Sequence, residues 1–324
     1  MNMRPLISLL ACAATWTAPD AGAQNTDYPA RPVRVIVPAG PGGILDIVMR
    51  LLAPKLEEVM GQTVVIDNRT GAATIIGTEM AARAAPNGYT LLVGGQPLAV
   101  NPNLYKKLPY NVEKDFAPIS LLVSASYILL VNASVPARSV QELLALARAR
   151  PESLKYSSGG NGTNFHIAVE LLKNLTGVNL VHVPYRSGGS ALAAVVAGEA
   201  DLSISSVIAV MPHVKSGRVR ALAITSAKRS PVVPELPTVR ESGVPDYDFE
   251  SWVGLLAPSA TPPKVLSALN GWAVKATTDA ALVERFGHEG LDVIASTQSE
   301  FAAHIRRETA RWAKVIKASG IRTE

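Results

Sequence analysis

The sequence predicts an α/β fold of two lobes, each a mixed, mostly parallel sheet flanked by helices. Apolar strands, glycine-rich loops and amphipathic helices alternate along the chain, which is typical of βαβ units. The same order returns in mid-chain, although no internal repeat is detectable residue by residue. The length of 324 residues suits about two domains of roughly 150 residues each.

The first half of the chain contains units of strand, loop and helix. Their predicted bounds are strand Val33–Val37, a helix to about Met60, strand Thr63–Asp67, a helix to about Ala85 and strand Tyr89–Val93. In the first helix, apolar residues recur at the i, i+3, i+4 spacing of one buried face. Residues 116–135 are uncharged but interrupted by Pro118, serines and Asn132, so we expect one or two buried strands rather than a membrane span.

The second half of the chain repeats this order of strand, loop and helix and then ends in helices. The predicted elements are strand Leu154–Ser157, helix Thr163–Leu175, strand Val178–Val183, helix Ser190–Ala197, strand Arg218–Thr225, strand Trp252–Ala257 and helices Pro263–Thr277 and Ser299–Ser319. The last helices have too few strands nearby to form a domain. We therefore expect them to return to the first lobe, so that lobe 1 comprises residues 24–124 and 250–324, and lobe 2 residues 125–249.

Residues 1–23 have the pattern of a secretory signal peptide. Arg4 precedes a short apolar run, and Ala21-Gly22-Ala23 forms a small-residue cleavage site before Gln24. The single cysteine, Cys12, lies in the apolar run and would be lost with it. A lipoprotein cleavage that leaves Cys12 lipidated is the alternative, but it needs an unusually short apolar run. The expected destination is the bacterial periplasm.

Composition and missing motifs exclude several classes of protein. With 48% hydrophobic and 18% charged residues the chain is not intrinsically disordered, and a single cysteine cannot form a disulfide scaffold. The net charge of +5 is spread along the chain and carries no nucleic-acid signature. The sequence has no phosphate loop, dinucleotide fingerprint or nucleophile elbow, and its histidines lack metal-ligand spacing. We therefore expect neither an enzyme nor a cofactor or metal site.

Two glycine-rich loops, Gly40–Gly43 and Gly159–Gly162, each precede a helix. Helix N-termini offer unpaired N–H groups and a positive dipole end, and glycine lets a ligand approach the backbone. The loops could thus hold an anion between the lobes, or they could simply make tight turns. Asp46 follows the first loop, where the helix dipole alone explains a carboxylate, and His166 follows the second loop by one turn.

The last predicted helix has one basic and one apolar face. A charged face is usually just solvated, and docking onto a membrane partner is the alternative. The basic residues are Arg306, Arg307, Arg311, Lys314 and Lys317, and the apolar residues are Phe301, Ile305, Trp312 and Ile316.

Short ordered matches from Tyr28 to the C-terminus carry a resemblance to a known family. They include Tyr28-Pro29, Pro41-Gly42-Gly43 with Asp46, Asn68 with Gly71-Ala72, Gly88 to Leu92, Tyr156 to Gly159 with His166, His182 to Tyr185, Leu236-Pro237-Thr238 with Glu241, and Trp252 with Pro258. In these segments the chain resembles the Bug solute receptors, the periplasmic binding component of tripartite tricarboxylate transporters.

The resemblance implies a type II-like, two-lobed periplasmic binding protein that captures a small mono- or dicarboxylate between its lobes. It also implies delivery to the membrane subunits of a tripartite transporter; sensing through a membrane kinase is the alternative, and we expect a monomer that does not bind nucleic acid. Such receptors hold a ligand carboxylate with backbone groups and ordered waters. The predicted ligand-binding residues are Ala39, Pro41, Gly42, Gly43, Ile44, Asp46, Gln96, Ser158, Gly160, Asn161, Thr163, His166, Tyr185 and Ser205.

The chain departs from the family pattern at several loop positions. Ile44 stands where a small or hydroxylated residue is common, Ala73 and Thr74 replace a Gly-Gly pair, Thr70 replaces a proline, and Ser187 replaces a glycine. Ile44 predicts a more apolar pocket that prefers a less polar carboxylate over citrate. The identity of the ligand is not encoded, since backbone and water contacts leave little side-chain pattern.

Overall fold

The computed structural model describes residues 28–319. The predicted signal peptide and Cys12 therefore lie outside the described residues. The strands are β1 (Val33–Val37), β2 (Val64–Asn68), β3 (Thr90–Gly95), β4 (Phe116–Asn132), β5 (Lys155–Ser158), β6 (Val181–Pro184), β7 (Leu202–Ser206), β8 (Val219–Ile224), β9 (Glu250–Pro258) and β10 (Leu291–Val293). The helices are α1 (Ile44–Met60), α2 (Ile75–Ala82), α3 (Pro97–Leu104), α4 (Val112–Asp115), α5 (Val140–Ala149), α6 (Asn164–Thr176), α7 (Gly188–Ala197), α8 (Val207–Lys215), α9 (Pro263–Thr277), α10 (Ala280–His288) and α11 (Gln298–Ser319).

Each lobe has its own sheet of parallel and antiparallel strands. In lobe 1, β1 lies parallel between β2 and β3, and β9, β4 and β10 continue the sheet in antiparallel pairs. In lobe 2, β5 lies parallel between β6 and β7, and β4 pairs antiparallel with β7 and β8. The predicted α/β class with mixed sheets is confirmed. Parallel pairing, however, covers only three strands of each lobe, because β4 enters both sheets and runs antiparallel to its neighbours.

The predicted uncharged segment after residue 115 forms one strand, β4, that crosses from lobe to lobe. Its 17 residues are buried over almost their whole length. Phe116 to Ser126 pair with β9, whereas Tyr127 to Asn132 pair with β7 and β8. The change of partner falls at Ser126, which faces Glu250 at the start of β9. The change of partner does not test the residue bounds predicted for the two lobes, and these bounds stay a prediction.

Three hydrophobic clusters hold the layers together. One cluster lies between the lobe 1 sheet and α1, α9 and α10, and another between the lobe 2 sheet and α7 and α8. The third runs through both lobes and includes Leu98, Tyr156 and Trp312. Helix α11 contacts α3 and β4 as well as α6 of lobe 2. The last helix therefore rests on both lobes, whereas α9 and α10 return to lobe 1.

The structure also contains elements that the sequence pattern did not predict. They are α3, α4, α5, α8, α10, β7 and β10. None of the helices between residues 28 and 319 is long and apolar enough to cross a membrane.

Candidate functional site

The first glycine loop connects β1 to α1 and folds back on itself. Gly42 has φ of +79°, a conformation that side chains disfavour, and its N–H donates to Asp46 Oδ2 at 2.9 Å. The N–H of Gly43 donates to the carbonyl oxygen of Gly40 at 3.2 Å. Pro41 and Gly42 are exposed, whereas Asp46 is buried. The loop thus presents its tip to solvent and is fixed from behind by one carboxylate.

The Asp46 carboxylate accepts further hydrogen bonds from side chains of the protein. Its Oδ2 also accepts from Arg50 Nε at 2.9 Å, and its Oδ1 accepts from Asn68 Nδ2 at 2.9 Å. The same Asn68 amide donates to the carbonyl oxygen of Ala39 at 2.9 Å. Burial works to raise the pKa of the Asp46 carboxyl, but the hydrogen bonds from Arg50, Gly42 and Asn68 outweigh it and hold the pKa below its usual value. An ionised Asp46 therefore ties the loop to β2.

The second glycine loop connects β5 to α6 and has the same construction. The N–H of Gly162, whose φ is +76°, donates to His166 Nδ1 at 3.1 Å. The N–H and the hydroxyl of Thr163 donate to the carbonyl oxygen of Gly160 at 3.3 Å and 2.8 Å. Ser158 Oγ accepts from the N–H of Gly160 at 3.1 Å. As in the first loop, hydrogen bonds with nearby side chains fix the conformation of the loop backbone.

A stack of three rings, with Tyr156 and His166 buried and His182 half-buried, supports this second loop. The rings of His166 and His182 are stacked with centroids 4.3 Å apart, and His182 lies 4.7 Å from Tyr156. His182 Nε2 is 2.6 Å from Ser158 Oγ, and the Tyr156 hydroxyl donates to Glu170 Oε1 at 2.6 Å. Burial, the neighbouring His182 and Lys173 lower the pKa of His166 to about 3. The His166 ring is therefore neutral, as an acceptor at Nδ1 must be.

Within residues 28–319, the two helix N-termini beyond these loops, those of α1 and α6, have no side-chain cap. In contrast, α7 is closed by Ser187, whose hydroxyl accepts from the N–H of Ser190 in a capping box. Unpaired N–H groups at the start of a helix are donors for an anion. Of these three helices, α1 and α6 keep donors for a ligand.

Packing brings the first turns of α1 and α6 to the start of β9. A Cβ added to Gly95, the last residue of β3, would lie 3.0 Å from Leu45 of α1 and 2.9 Å from the carbonyl oxygen of Trp252. Ser251 precedes Trp252, and its hydroxyl oxygen accepts a hydrogen bond from Asn164 Nδ2 of α6 at 2.9 Å. The first turns of α1 and α6 thus both lie near the start of β9, beside the point where β4 changes partner.

The remaining predicted residues take different places. Ile44 is half-buried at the first turn of α1, and Asn161 is exposed at the tip of the second loop. Gln96 is fully buried and donates to Glu308 of α11 at 3.1 Å. Ser205 is buried in β7, and the Tyr185 N–H donates to Ser158 while its side chain turns towards Glu199. The side chain of Gln96 contacts α11 and that of Tyr185 contacts Glu199, and the predicted joint binding by the two loops stays a prediction.

Sequence reasoning missed the residues that support the loops from behind. The sequence pattern does not point to Glu170, Asn164 or Ser251, and Asn68 enters only through the family resemblance. The spacing of four residues between His166 and Glu170, the same as between Asp46 and Arg50, is the signal that could have found Glu170.

A strained segment lies beside the first loop. Ala72, Ala73 and Thr74 have φ of 45°, 50° and 76°, which is unusual for residues with a Cβ. Buried Asn101 donates to the carbonyl oxygen of Ala73, and Thr78 donates to that of Thr74, each at 2.9 Å. The positions where this chain lacks the family's Gly-Gly pair are thus positions of left-handed backbone.

Other features of the surface do not add to this site. Cavities of about 530 Å³ beside Arg220 and about 310 Å³ beside Tyr110 include no residue of the two loops. Among the residues that the structure describes, no group of His, Cys, Asp or Glu is arranged to hold a metal ion. On α11 the predicted apolar residues are buried, while Arg306, Arg307, Lys314 and Lys317 are exposed.

Comparison with known proteins gives one consistent family. The model of the tripartite tricarboxylate transporter family receptor matches residues 48–321. Protein BugT of Bordetella pertussis is 34% identical over 322 residues, covering 99% of this chain and 99% of BugT.

Solved structures agree. The R. palustris protein Rpa4515, with adipate, is 34% identical with a TM-score of 0.83, over 91% of this chain and 99% of that one. The periplasmic binding protein BugD is 31% identical with a TM-score of 0.81, over 92% and 100%. MatC of Rhodopseudomonas palustris, with bound malate, is 31% identical with a TM-score of 0.78, over 89% and 100%.

Proposed function

The chain belongs to the receptors of the tripartite tricarboxylate transporter family, and from this premise we propose that it binds a small carboxylate with the N-termini of α1 and α6. Membership makes it a periplasmic solute-binding receptor rather than an enzyme. The observation that carries the proposal is the pair of glycine loops, each fixed from behind and each leading into a helix without a side-chain cap. Rpa4515 with adipate and MatC with malate support a carboxylate as the class of ligand.

Backbone dipoles suit this task better than side-chain charge. An anion at the start of a helix meets several N–H donors and the positive end of the dipole. Hydrogen bonds to a charged group are about twice as strong as neutral ones. We propose as ligand-binding groups the loop residues Ala39 to Ile44 and Ser158 to Thr163, with Asp46 and His166 holding them. The predicted contributions of Gln96, Tyr185 and Ser205 remain part of the proposal.

We propose further that Ile44 favours a ligand with an apolar spacer. Ile44 is half-buried in the first turn of α1 and packs against the lobe 1 core, so its side chain offers no hydrogen bond beside the open N–H groups. Adipate, with four methylenes, should bind more tightly than the hydroxylated malate or citrate. An Ile44→Ser variant should lose this preference; if wild type and variant rank the three acids alike, Ile44 does not set selectivity.

A thermal-shift screen tests the ligand class. Adipate, malate, citrate, amino acids and nicotinate would be added to the purified protein. A ligand at one hundred times its Kd stabilises the folded state by about 2.7 kcal/mol, which corresponds to a rise in Tm of about 4–5 °C. If no carboxylate in the panel raises Tm, the carboxylate assignment is wrong.

Two glycine variants separate loss of binding from loss of stability. Gly42 and Gly61 have φ of +79° and +68°, and a Cβ added to either would have nothing within 4 Å. Gly42→Ala and Gly61→Ala should therefore destabilise the protein equally, by about 1 kcal/mol. Gly61 lies at the C-terminal end of α1, away from the loop. Only Gly42→Ala should weaken binding of the acid found in the screen; equal affinities would argue against the first loop.

Partner and maturation complete the proposal. We propose that the liganded receptor docks as a monomer on the membrane subunits of a tripartite transporter, and that cleavage after Ala23 releases it. N-terminal sequencing of the periplasmic protein should begin at Gln24, and light scattering should give the mass of one chain. A lipidated N-terminus at Cys12 or a stable dimer would overturn the respective statement.

A further inference from the structure

The two glycine loops share one hydrogen-bond pattern at positions 120 residues apart. Gly43 and Thr163 each donate to the glycine three residues before them, at 3.2 Å and 3.3 Å. Gly42 and Gly162 have nearly equal φ and donate to the side chain four residues ahead, at 2.9 Å and 3.1 Å. The sequences of the loops do not show this relationship, because the side chains that accept are an aspartate and a histidine.

We propose that His166 is the positioning residue of the second loop, equivalent to Asp46 in the first. Its Nδ1 lone pair accepts the Gly162 N–H and so fixes the backbone that leads into α6. The following N–H groups then remain free and aimed at the ligand. This inference rests on the proposed function, and it assigns to His166 a contact with the loop rather than with the ligand.

The charges behind the loops explain why the acceptors differ. Four residues after Asp46 stands Arg50, which bonds to its carboxylate at 2.9 Å. Four residues after His166 stands Glu170, which is buried and accepts from Tyr156 and Lys173. A carboxylate at position 166 would meet Glu170 instead of an arginine. A neutral imidazole accepts the same hydrogen bond without adding a second negative charge.

The ring stack keeps the imidazole in this orientation. The His182 ring lies 4.3 Å from that of His166 and is itself held by Ser158 Oγ at 2.6 Å. Ser158 in turn accepts from the N–H of Gly160 at 3.1 Å. Both histidines are therefore joined to the same loop, one through Gly162 and the other through Ser158.

Imidazole NMR of the ligand-free protein tests the hydrogen bond directly. An acceptor at Nδ1 requires the proton on Nε2, so ¹⁵N spectra at pH 7 should show the Nε2–H tautomer of His166. The Gly162 amide should be protected from hydrogen exchange, and this protection should be lost in His166→Phe. The Nδ1–H tautomer or an imidazolium at pH 7, or an unprotected Gly162 amide, would overturn the inference.

Binding measurements then test what the hydrogen bond does. His166→Phe keeps a ring on His182 but removes the acceptor, and we expect adipate affinity about tenfold weaker. His166→Asn should retain affinity within about threefold, because the short side chain of Asp46 reaches the equivalent N–H in lobe 1. His288→Asn, at a ring that is 79% exposed on α10, is the control and should bind as wild type. Urea midpoints of all variants show whether each is folded.

The outcomes separate this inference from the proposed function. If His166→Phe binds adipate as wild type does, or if His166→Asn is as weak as His166→Phe, His166 does not position the loop. If wild type binds neither adipate nor malate, the proposed ligand is wrong. The tautomer and the Gly162 amide still decide the role of His166 in that case, because neither measurement needs a ligand.

Discussion

Replacing Asp46 by alanine should loosen the first loop and lower the free energy of unfolding. The variant removes the acceptor for Gly42 N–H, Asn68 Nδ2 and Arg50 Nε, each at 2.9 Å. A hydrogen bond to a charged group contributes about 1.5–3 kcal/mol. The Arg50 side chain is 54% exposed, so its ion pair adds less than about 1 kcal/mol.

We expect a total loss of about 3 kcal/mol, at the lower end of the sum, because water reaches the loop beside exposed Gly42. This corresponds to a fall in Tm of about 4–6 °C. Urea unfolding of wild type and Asp46→Ala at pH 7 measures it. Arg50→Gln removes the ion pair and the exposed 3.2 Å hydrogen bond from Arg50 to Asn68 but keeps the bonds of Gly42 and Asn68 to Asp46. It is the control, with an expected loss under about 1 kcal/mol.

The pH dependence of this difference has a definite sign. Since the folded-state pKa of Asp46 lies below the unfolded value of about 3.9, its contribution is fully present above that value and is lost as the pH falls through the folded pKa. The gap between wild type and Asp46→Ala should stay constant from pH 8 to pH 5 and narrow below about pH 4. The reasoning is refuted if Asp46→Ala unfolds within about 0.5 kcal/mol of wild type at pH 7, or if Arg50→Gln costs as much.

Three further changes follow from the backbone and from buried charge. Thr74→Gly should stabilise the protein by about 1 kcal/mol, because Thr74 has φ of 76°. Thr74→Ala should stabilise it less. If the urea midpoint of Thr74→Gly does not rise, the backbone at Thr74 is not strained. Gly77→Ala should destabilise it by about 1–3 kcal/mol, since a Cβ would lie 2.6 Å from the carbonyl oxygen of Arg69; an unchanged Tm would mean that this contact relaxes. Burial and the nearby Asp248, Asp292 and Glu308 raise the pKa of Glu250 to about 7, so stability should fall as the pH rises from about 4.3 to 7. Glu250→Gln should then exceed wild type by about 3–4 kcal/mol at pH 8 and match it at pH 4, and equal stabilities at pH 8 would be the contrary result.

The periodic parts of the sequence were enough to predict the α/β class and most strands and helices. Apolar alternation and glycine loops are local signals, and they located β1, α1, β5 and α6 within a few residues. The two loops that carry the candidate site were found in the same way, because glycine before a helix is itself a local pattern.

Long-range pairing decided the rest. The uncharged run after residue 115 fits one strand or two equally well by its pattern, and only pairing with β9 at one end and β7 and β8 at the other makes it the single strand β4. Helix α11 was predicted to join lobe 1, yet it also contacts α6 of lobe 2, since apolar positions name a buried face but not the partner that covers it.

By itself, then, the sequence determined the α/β class, the two glycine loops and the positions of Asp46 and His166. Only the tertiary structure decided what these two residues do. Asn68 reaches Asp46 from β2, and His182 reaches His166 from β6, each from a strand beyond the next helix. Local residue preference sets the conformation of a loop, but hydrogen bonds between distant segments depend on how the sheets are assembled, and that is not written in any single segment.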